Sequence, residues 1–216
     1  MIDLHSHTLF SDGCLLPSEL ARRAEVKGYK ALAFTDHVDE SNYSFVIENI
    51  SKVCEELNKE LGIFVIPGVE ITHVPPKQIA KLAEKSRKEG AKIVAVHGES
   101  IVEPVAPLTN SYALDSDIDF LAHPGLITIE EIQKAQERNI YLEITSRQGH
   151  SLSNGRVAAL AQETGASMII NSDSHAPGDL IDKTYAEKVL KAAGLSDHTI
   201  KAVFCNSEAL VAKVKG

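Results

Sequence analysis

The sequence predicts an α/β fold in which parallel strands and helices alternate and close into a TIM-like barrel. Short apolar or β-branched runs alternate with longer amphipathic stretches along all 216 residues, as in consecutive βα units. The hydrophobic content of 44% allows one sizeable core in a chain of this length. Because βα units also build open, doubly wound sheets, the choice of a barrel depends on where the histidines fall.

Seven of the short runs are predicted to be strands. In chain order they cover residues 1–5, 31–37, 63–70, 92–97, 119–123, 140–145 and 167–173. No low-complexity linker or block of charge divides the chain, so we expect one domain over residues 1–216.

Six amphipathic stretches are predicted to be helices. They cover residues 17–27, 44–61, 76–89, 129–138, 155–163 and 180–193. Glycines stand where several of these helices should end, as they do at helix C′ positions: Gly28, Gly62, Gly90, Gly165 and Gly194. Segment 98–117 contains two prolines and a Thr-Asn-Ser cluster, which favour a loop at its start.

Composition excludes several classes of protein. The net charge of −8 argues against an extended nucleic-acid surface, so a phosphate ligand would need a local positive site. Three cysteines at unrelated spacings fit neither a disulfide framework nor a CxxC metal site, and we expect reduced thiols. No segment has signal-peptide form and none reaches the ~18 apolar residues of a membrane span, so the expected location is cytoplasmic.

Potential ligands recur where the predicted strands end, which is the end of an α/β barrel that carries the active site. They are His5 and His7, His37, Glu70, His97, His123, and Asp173 with His175, while Asp12 lies in the loop after the first strand. The sixth strand offers no obvious ligand. Six of the nine histidines thus fall at one end of the fold, and a closed barrel would bring them together.

Each of these residues alone has a simpler explanation. A single histidine at a strand end is more often a hydrogen-bonded structural residue, and Asp12 in a Ser-Asp-Gly sequence suits a turn. The whole set is harder to explain in this way, because chance would have placed most histidines on helix surfaces.

The spacing within the set points to metal binding. Side chains two residues apart on a strand point the same way, so His5 and His7 can reach one ion together, as can Asp173 and His175. Imidazole with carboxylate suits zinc, manganese or iron better than calcium or magnesium. Nine candidate ligands exceed the needs of one tetrahedral ion and therefore indicate two or three ions.

The motifs "DLHSHTLFSDG", "AFTDH", "PGVE", "VAVHG", "LAHPG" and "NSDSH" occur in this order between residues 3 and 175. Together they resemble the polymerase and histidinol phosphatase (PHP) family of metal-dependent phosphoesterases. The resemblance implies a distorted (β/α)7 barrel and three metal ions. The first ion would be bound by His5, His7, Glu70 and Asp173; the second by Glu70, His97 and His123; the third by Asp12, His37 and His175. Some relatives have histidine at the position of Asp12, so the third ion here can differ in identity or affinity.

The resemblance also implies a chemistry. Three divalent ions and three carboxylates leave about three positive charges, which would make a positive pit in an acidic protein. A phosphoester bound there would be attacked by a metal-bound hydroxide formed from a water with a pKa near ~7.

Four further residues are candidates for roles at this site. Arg147 could clamp a phosphate oxygen and His150 could protonate the leaving group, although the same loop can be solvated, with Asn154 capping the next helix. Asp36 could accept the second N–H of a ligand histidine. For His73 a substrate contact is weighed against loop packing.

The expected function is hydrolysis of a small phosphomonoester, such as histidinol phosphate. The alternative is a phosphodiesterase or 3'-5' exonuclease acting on nucleotides or nucleic-acid ends, against which the acidic charge counts. An amidohydrolase also begins with HxH but would lack the combination of Glu70, His97 and "DSH". A non-enzymatic metal-binding module would not need the full ligand set. The sequence leaves the oligomeric state open.

Overall fold

The computed structural model of the protein describes residues 1–215. Its strands are β1 (Ile2–Asp3), β2 (Ala31–Phe34), β3 (His37–Val38), β4 (Phe64–Ile71), β5 (Ile93–His97), β6 (Phe120–Ala122), β7 (Tyr141–Thr145) and β8 (Met168–Asn171). They pair in parallel in the order β1-β2-β4-β5-β6-β7-β8, with β3 also on β4.

The predicted second strand, residues 31–37, is present but interrupted. Phe34 pairs with Pro67 and His37 pairs with Glu70, so β2 and β3 keep one register along β4. The Glu70 amide donates to the Asp36 carbonyl at 3.1 Å, so pairing with β4 continues across the interruption. Counted as one strand, β2 and β3 confirm the prediction of seven strands.

The first and last strands approach each other and nearly close the barrel. Ser6 and Ser174 form a parallel bridge, and the His7 amide donates to the Ser174 carbonyl at 2.8 Å. The Leu4 amide donates to Asn171 Oδ1, also at 2.8 Å. The sheet is therefore the α/β, TIM-like barrel that the sequence predicts.

Helices surround this barrel. They are α1 (Pro17–Val26), α2 (Tyr43–Glu60), α3 (Ile79–Glu89), α4 (Thr109–Ala113), α5 (Ile129–Arg138), α6 (Asn154–Thr164), α7 (Lys183–Ala192) and α8 (Asp197–Lys215). Gly90 and Gly165 end α3 and α6 with φ of 114° and 79°, as predicted for C-terminal glycines. None of the helices in residues 1–215 has both the length and the apolar composition of a membrane span.

Three details differ from the sequence prediction. Helix α7 begins three residues later than expected, because the Asp182 side chain accepts from the Tyr185 amide and caps it there. Asn154 does not cap α6; its side-chain amide bonds to the backbone N–H and C=O of Thr145 at 3.2 and 2.7 Å. Helix α8 was not predicted, because it follows the last βα unit.

Helix α8 closes the end of the barrel where the strands begin. Its Leu210 and Val211 are buried against the apolar layer inside the barrel. That layer consists of Ile2, Leu4, Ala31, Ala33, Ile66, Ile93, Ala95, Phe120, Ala122 and Ile169.

The inward-facing positions become polar toward the other end of the strands. Side chains two residues apart on a strand share a face, so Glu70 continues the inner row begun by Ile66, and His97 the row begun by Ile93. The barrel interior is thus apolar at one end and carries ionisable groups at the other.

Candidate metal centre

His5 and His7 point at the same two carboxylates, as their spacing predicts. His5 Nε2 lies 3.4 Å from Glu70 Oε2 and 3.6 Å from Asp173 Oδ1. His7 Nε2 lies 3.7 Å and 3.2 Å from the same two oxygens. All four residues are buried, so two histidines and two carboxylates converge in one water-poor space.

His97 and His123 lie on the other side of Glu70. His123 Nε2 is 3.5 Å from Glu70 Oε1 and 3.6 Å from Asp173 Oδ2. The ring centroids of His97 and His123 are 4.4 Å apart. Glu70 therefore lies between two groups of histidines, with Oε2 toward His5 and His7 and Oε1 toward His123.

Asp12, His37 and His175 form a third group nearer to solvent. Asp12 Oδ1 is 3.5 Å from His37 Nε2 and 3.2 Å from His175 Nε2. The Asp12 side chain is 58% exposed, whereas that of His7, 3.9 Å away, is fully buried. The structure thus brings all nine predicted metal ligands to one end of the barrel.

The donor atoms fit divalent metal ions. Nε2 of His5, Nε2 of His7 and both carboxylate oxygens of Glu70 are buried and make no aligned hydrogen bond within residues 1–215. Unpaired buried polar atoms are costly, and a bound cation would satisfy them together. Three groups that combine histidine and carboxylate atoms, and a fourth group of three histidines, lie close enough to hold an ion. Nitrogen with carboxylate oxygen suits zinc, manganese or iron.

Without cations, the buried carboxylates of this centre repel one another and attract protons to the neighbouring groups. Burial raises the pKa of Asp173 to about 7, with help from the carboxylates of Glu70 and Glu143. Burial also disfavours charge on His5, yet the carboxylates of Glu143 and Asp173 together raise the pKa of His5 well above its usual value. Protons are thus drawn to the positions where bound cations would place positive charge.

The backbone is strained at two of these ligands. His123 and Asp173 have φ of 26° and 52°, a left-handed region that side-chain-bearing residues seldom adopt. Such conformations cost free energy and persist where the surrounding structure imposes them, which is common at functional sites.

A sequence model of the PHP domain matches residues 3–211. The chain belongs to the PHP family. The resemblance carried by the sequence motifs is thereby confirmed, and the protein is a member of a family of metal-dependent phosphoesterases.

PHP relatives cover nearly the whole chain. An uncharacterized protein of Methanocaldococcus jannaschii is 51% identical over 201 residues, which is 92% of each chain. A probable phosphatase of Thermoanaerobacter is 26% identical over 93% of this chain and 89% of its own. A DNA polymerase/3'-5' exonuclease of Bacillus subtilis is also 26% identical, over 80% of this chain and 34% of its own.

Two solved structures share the fold at low sequence identity. A chain of archaeal ribonuclease P with mature tRNA has a TM-score of 0.75 at 15% identity, with 100% of this chain and 91% of that chain covered. The histidinol phosphate phosphatase of Lactococcus lactis, complexed with zinc, L-histidinol and phosphate, has a TM-score of 0.63 at 16% identity, with 90% and 94% covered.

Asp36 lies beside this PHP centre and, among the described residues, makes no hydrogen bond or ion pair to a histidine ring. Its carboxylate accepts hydrogen bonds from the amide and hydroxyl of Thr8, at 2.7 and 2.8 Å, and from the Ser11 hydroxyl at 2.8 Å. Ser11 directly precedes Asp12, so Asp36 fixes the loop that carries a candidate ligand. The expected bond to a ligand histidine is replaced by this support of the loop.

Arg147 lies at the rim of the centre and forms an ion pair with Asp179. Its Nη1 is 3.1 Å from Asp179 Oδ2, which also accepts the amides of His175 and Ala176 at 2.9 and 2.8 Å. Arg147 also lines a cavity of about 660 Å³. The arginine is therefore coupled through one carboxylate to a candidate metal ligand.

His150 is buried among the histidines, and His73 is exposed at the edge. The His150 ring centroid is 4.2 Å from that of His123, and its Nδ1 is 2.7 Å from Ser100 Oγ. Burial and the neighbouring His97 lower the pKa of His150. His73 Nε2 contacts Glu103 at 3.2 Å.

Two carboxylates of the PHP centre were missed from the sequence. Glu143 of β7 accepts from His5 Nδ1 at 2.8 Å, the His123 amide at 3.0 Å and Asn171 Nδ2 at 2.8 Å. Its inward position on the sixth predicted strand was the available signal. Glu103 lies in segment 98–117, where no periodic pattern could have indicated its direction.

Proposed function

We propose that this protein is a metal-dependent phosphatase that hydrolyses a small phosphomonoester at a centre of three divalent ions. The observation that carries the proposal is the convergence of nine candidate ligands, all but Asp12 buried or half-buried, into adjoining groups around Glu70. The proposed ligands are His5, His7, Glu70 and Asp173 for one ion, Glu70, His97 and His123 for the second, and Asp12, His37 and His175 for the third. Zinc, manganese or iron fits these donors.

Bound divalent ions would acidify a water, polarise phosphoryl oxygens and neutralise charge that develops on the ester. The residues of the chain have separate tasks. Glu143 fixes the ring orientation of His5 through its Nδ1. Asp36 keeps the Asp12 loop in place through Thr8 and Ser11.

The opening above the centre suits a small substrate. A cavity of about 430 Å³ is lined by Asp12, His37, Thr72, His73 and Glu103, among others. Cavities of this size are typical of small-molecule sites. We assign Arg147, which lines the separate cavity of about 660 Å³, to a phosphate oxygen, because guanidinium binds phosphate through two parallel hydrogen bonds. The small phosphorylated substrate of the histidinol phosphate phosphatase with the same fold supports this class.

A phosphodiesterase or exonuclease is the second candidate. The PHP relative that is a DNA polymerase/3'-5' exonuclease favours it, although this chain matches only 34% of that protein's length. The net charge of −8 weighs against tight binding of a polyanion.

Hydrolysis of p-nitrophenyl phosphate and bis(p-nitrophenyl) phosphate in the presence of manganese tests the proposal directly. We expect faster cleavage of the monoester and loss of activity with a chelator. Preference for the diester would favour the nuclease branch and lead to oligonucleotide substrates. Absence of chelator-sensitive hydrolysis of either ester would contradict a phosphoesterase.

A further inference from the structure

We propose that His150 and Glu103 are additional ligands of the ion assigned to His97 and His123. That ion would then have a fuller set of protein ligands than the PHP motifs provide. The inference rests on the proposed function, because it assumes that the centre binds metal.

His150 has the hydrogen-bonding pattern of a metal ligand. Its Nδ1 is occupied by Ser100 Oγ at 2.7 Å, which leaves Nε2 facing the Glu103 carboxylate at 3.3 Å. His97 is arranged in the same way, with Nδ1 donating to the Gly98 carbonyl at 3.0 Å. Ligand histidines usually have their second nitrogen fixed by such a partner. One ring nitrogen each of His97, His123 and His150 lies within 4.8 Å of the other two.

Glu103 brings a carboxylate to the same place. Its Oε2 is 3.2 Å from His97 Nε2, and its Oε1 is 3.3 Å from His150 Nε2. Two neighbouring ligands on one ion, with bonds of ~2.1 Å and angles of about 90–109°, are separated by about 3.0–3.4 Å. Both measured separations lie in this range.

The segments that carry these residues are packed together. Asn110 Oδ1 accepts from the Glu99 amide, and Asn110 Nδ2 donates to the Pro124 carbonyl, each at 2.9 Å. A Cβ added to Gly149 would lie 3.3 Å from Val102, so the two loops are in close contact there. The approach of Glu103 to His150 is therefore part of a structured surface.

The proton-donor role expected for His150 fits this geometry less well. A donor needs an N–H that faces the leaving group, yet both ring nitrogens already have protein partners, Ser100 and Glu103. As a ligand, His150 would raise the protein donors at this ion to five: His97, His123, His150, Glu70 and Glu103. The ion at Asp12, His37 and His175 would have three and keep open positions, as catalytic ions do.

The test is binding of cobalt(II) to chelator-treated protein, followed by visible absorption and calorimetry. In Glu103→Gln and His150→Gln, we expect about 10–100-fold weaker binding of one ion, a changed absorption band, and affinities within threefold of the parent for the other ions. His198→Gln is the matched control, because His198 is an exposed histidine of α8 that lies outside the candidate metal centre, and it should leave all affinities within threefold.

Unchanged cobalt affinity and absorption in both variants would overturn the inference, as would an equal loss in His198→Gln. Circular dichroism checks that each variant is folded. If the parent protein binds no cobalt and hydrolyses no ester, the proposed function itself fails. If the parent protein binds cobalt and hydrolyses the ester, and the variants bind cobalt as the parent does, only the assignment of His150 and Glu103 as ligands fails.

Discussion

The two ends of the barrel interior differ in chemistry although the same strands build them. Ile66 and Ile93 face an apolar layer at one end, whereas Glu70 and His97, four residues further along the same strands, face the candidate metal centre. All four of these side chains are buried. Burial thus stabilises the fold at the first end and sets up binding at the second.

The difference shows in how the buried atoms are satisfied. The apolar end needs no partners beyond close packing, and α8 supplies them with Leu210 and Val211. Among residues 1–215, Nε2 of His5 and His7 and both oxygens of Glu70 at the polar end have no aligned hydrogen-bond partner. Substitutions at the polar end should therefore act on metal binding and turnover, and substitutions at the apolar end on stability.

The largest effect is expected from Asp173→Asn at the polar end. It removes a carboxylate that faces His5, His7 and His123, and kcat/KM for a phosphomonoester should fall by at least roughly 10³-fold, or ~4 kcal/mol. His7→Ala should have a similar effect. Circular dichroism should show an intact fold in both. Turnover close to that of the parent in either variant would refute the assignment of these ligands.

The same Asp173→Asn variant has an opposite effect on stability without metal. Burial raises the pKa of Asp173 in the native protein to about 7, from an ordinary value of 3.8. Native protein then binds more protons than unfolded protein between these values, so the parent loses stability as pH rises through the window. Asparagine avoids this loss. The melting temperature of the chelated variant should exceed that of the parent more at pH 8 than at pH 5.

At the apolar end, Leu210→Ala should lower the free energy of unfolding by about 2–4 kcal/mol, because it leaves a cavity beneath the barrel. The KM and kcat of the folded enzyme should change less than twofold. Denaturant unfolding measures the free energy of unfolding, and steady-state kinetics measure KM and kcat. Leu126→Ala removes the same atoms from a side chain that is 66% exposed and should cost no more than about 0.5 kcal/mol. Equal costs at the two positions would mean that α8 does not seal the barrel.

A smaller effect is expected from Glu143→Gln, which probes how the polar end is kept in order. Glu143 bonds to the His5 ring and to the backbone of His123. The amide cannot accept from every donor that the carboxylate serves, so metal affinity should weaken about 10–100-fold. Calorimetric titration with zinc measures this affinity. Glu130→Gln, in the first turn of α5, is the charge-matched control and should bind zinc as the parent does.

Sequence patterns predicted the polar end in outline, because ligand residues at strand ends follow from strand periodicity and parallel strands place those ends together. Glu143 could have been found by the same alternation but is not at a strand end. Glu103 could not have been found from the sequence, because it lies in a loop. The direction of its side chain depends on tertiary contacts such as those of Asn110. Helix α8 escaped prediction because its role, sealing the barrel, appears only once the barrel has formed.

Arg147→Ala should give the smallest effect and tests whether the rim takes part in binding. If the guanidinium binds phosphate, the KM for a monoester should rise about 10-fold, with kcat within threefold, because one charged hydrogen-bond donor is lost. Asp179 would keep its two backbone donors, so the His175 loop should stay in place. Arg138→Ala, at the end of α5 just before β7 begins, removes the same charge from the opposite end of the barrel and should change neither constant. A fall in kcat without a change in KM would indicate that Arg147 serves to orient His175 through Asp179, and unchanged kinetics would make it a solvated loop residue.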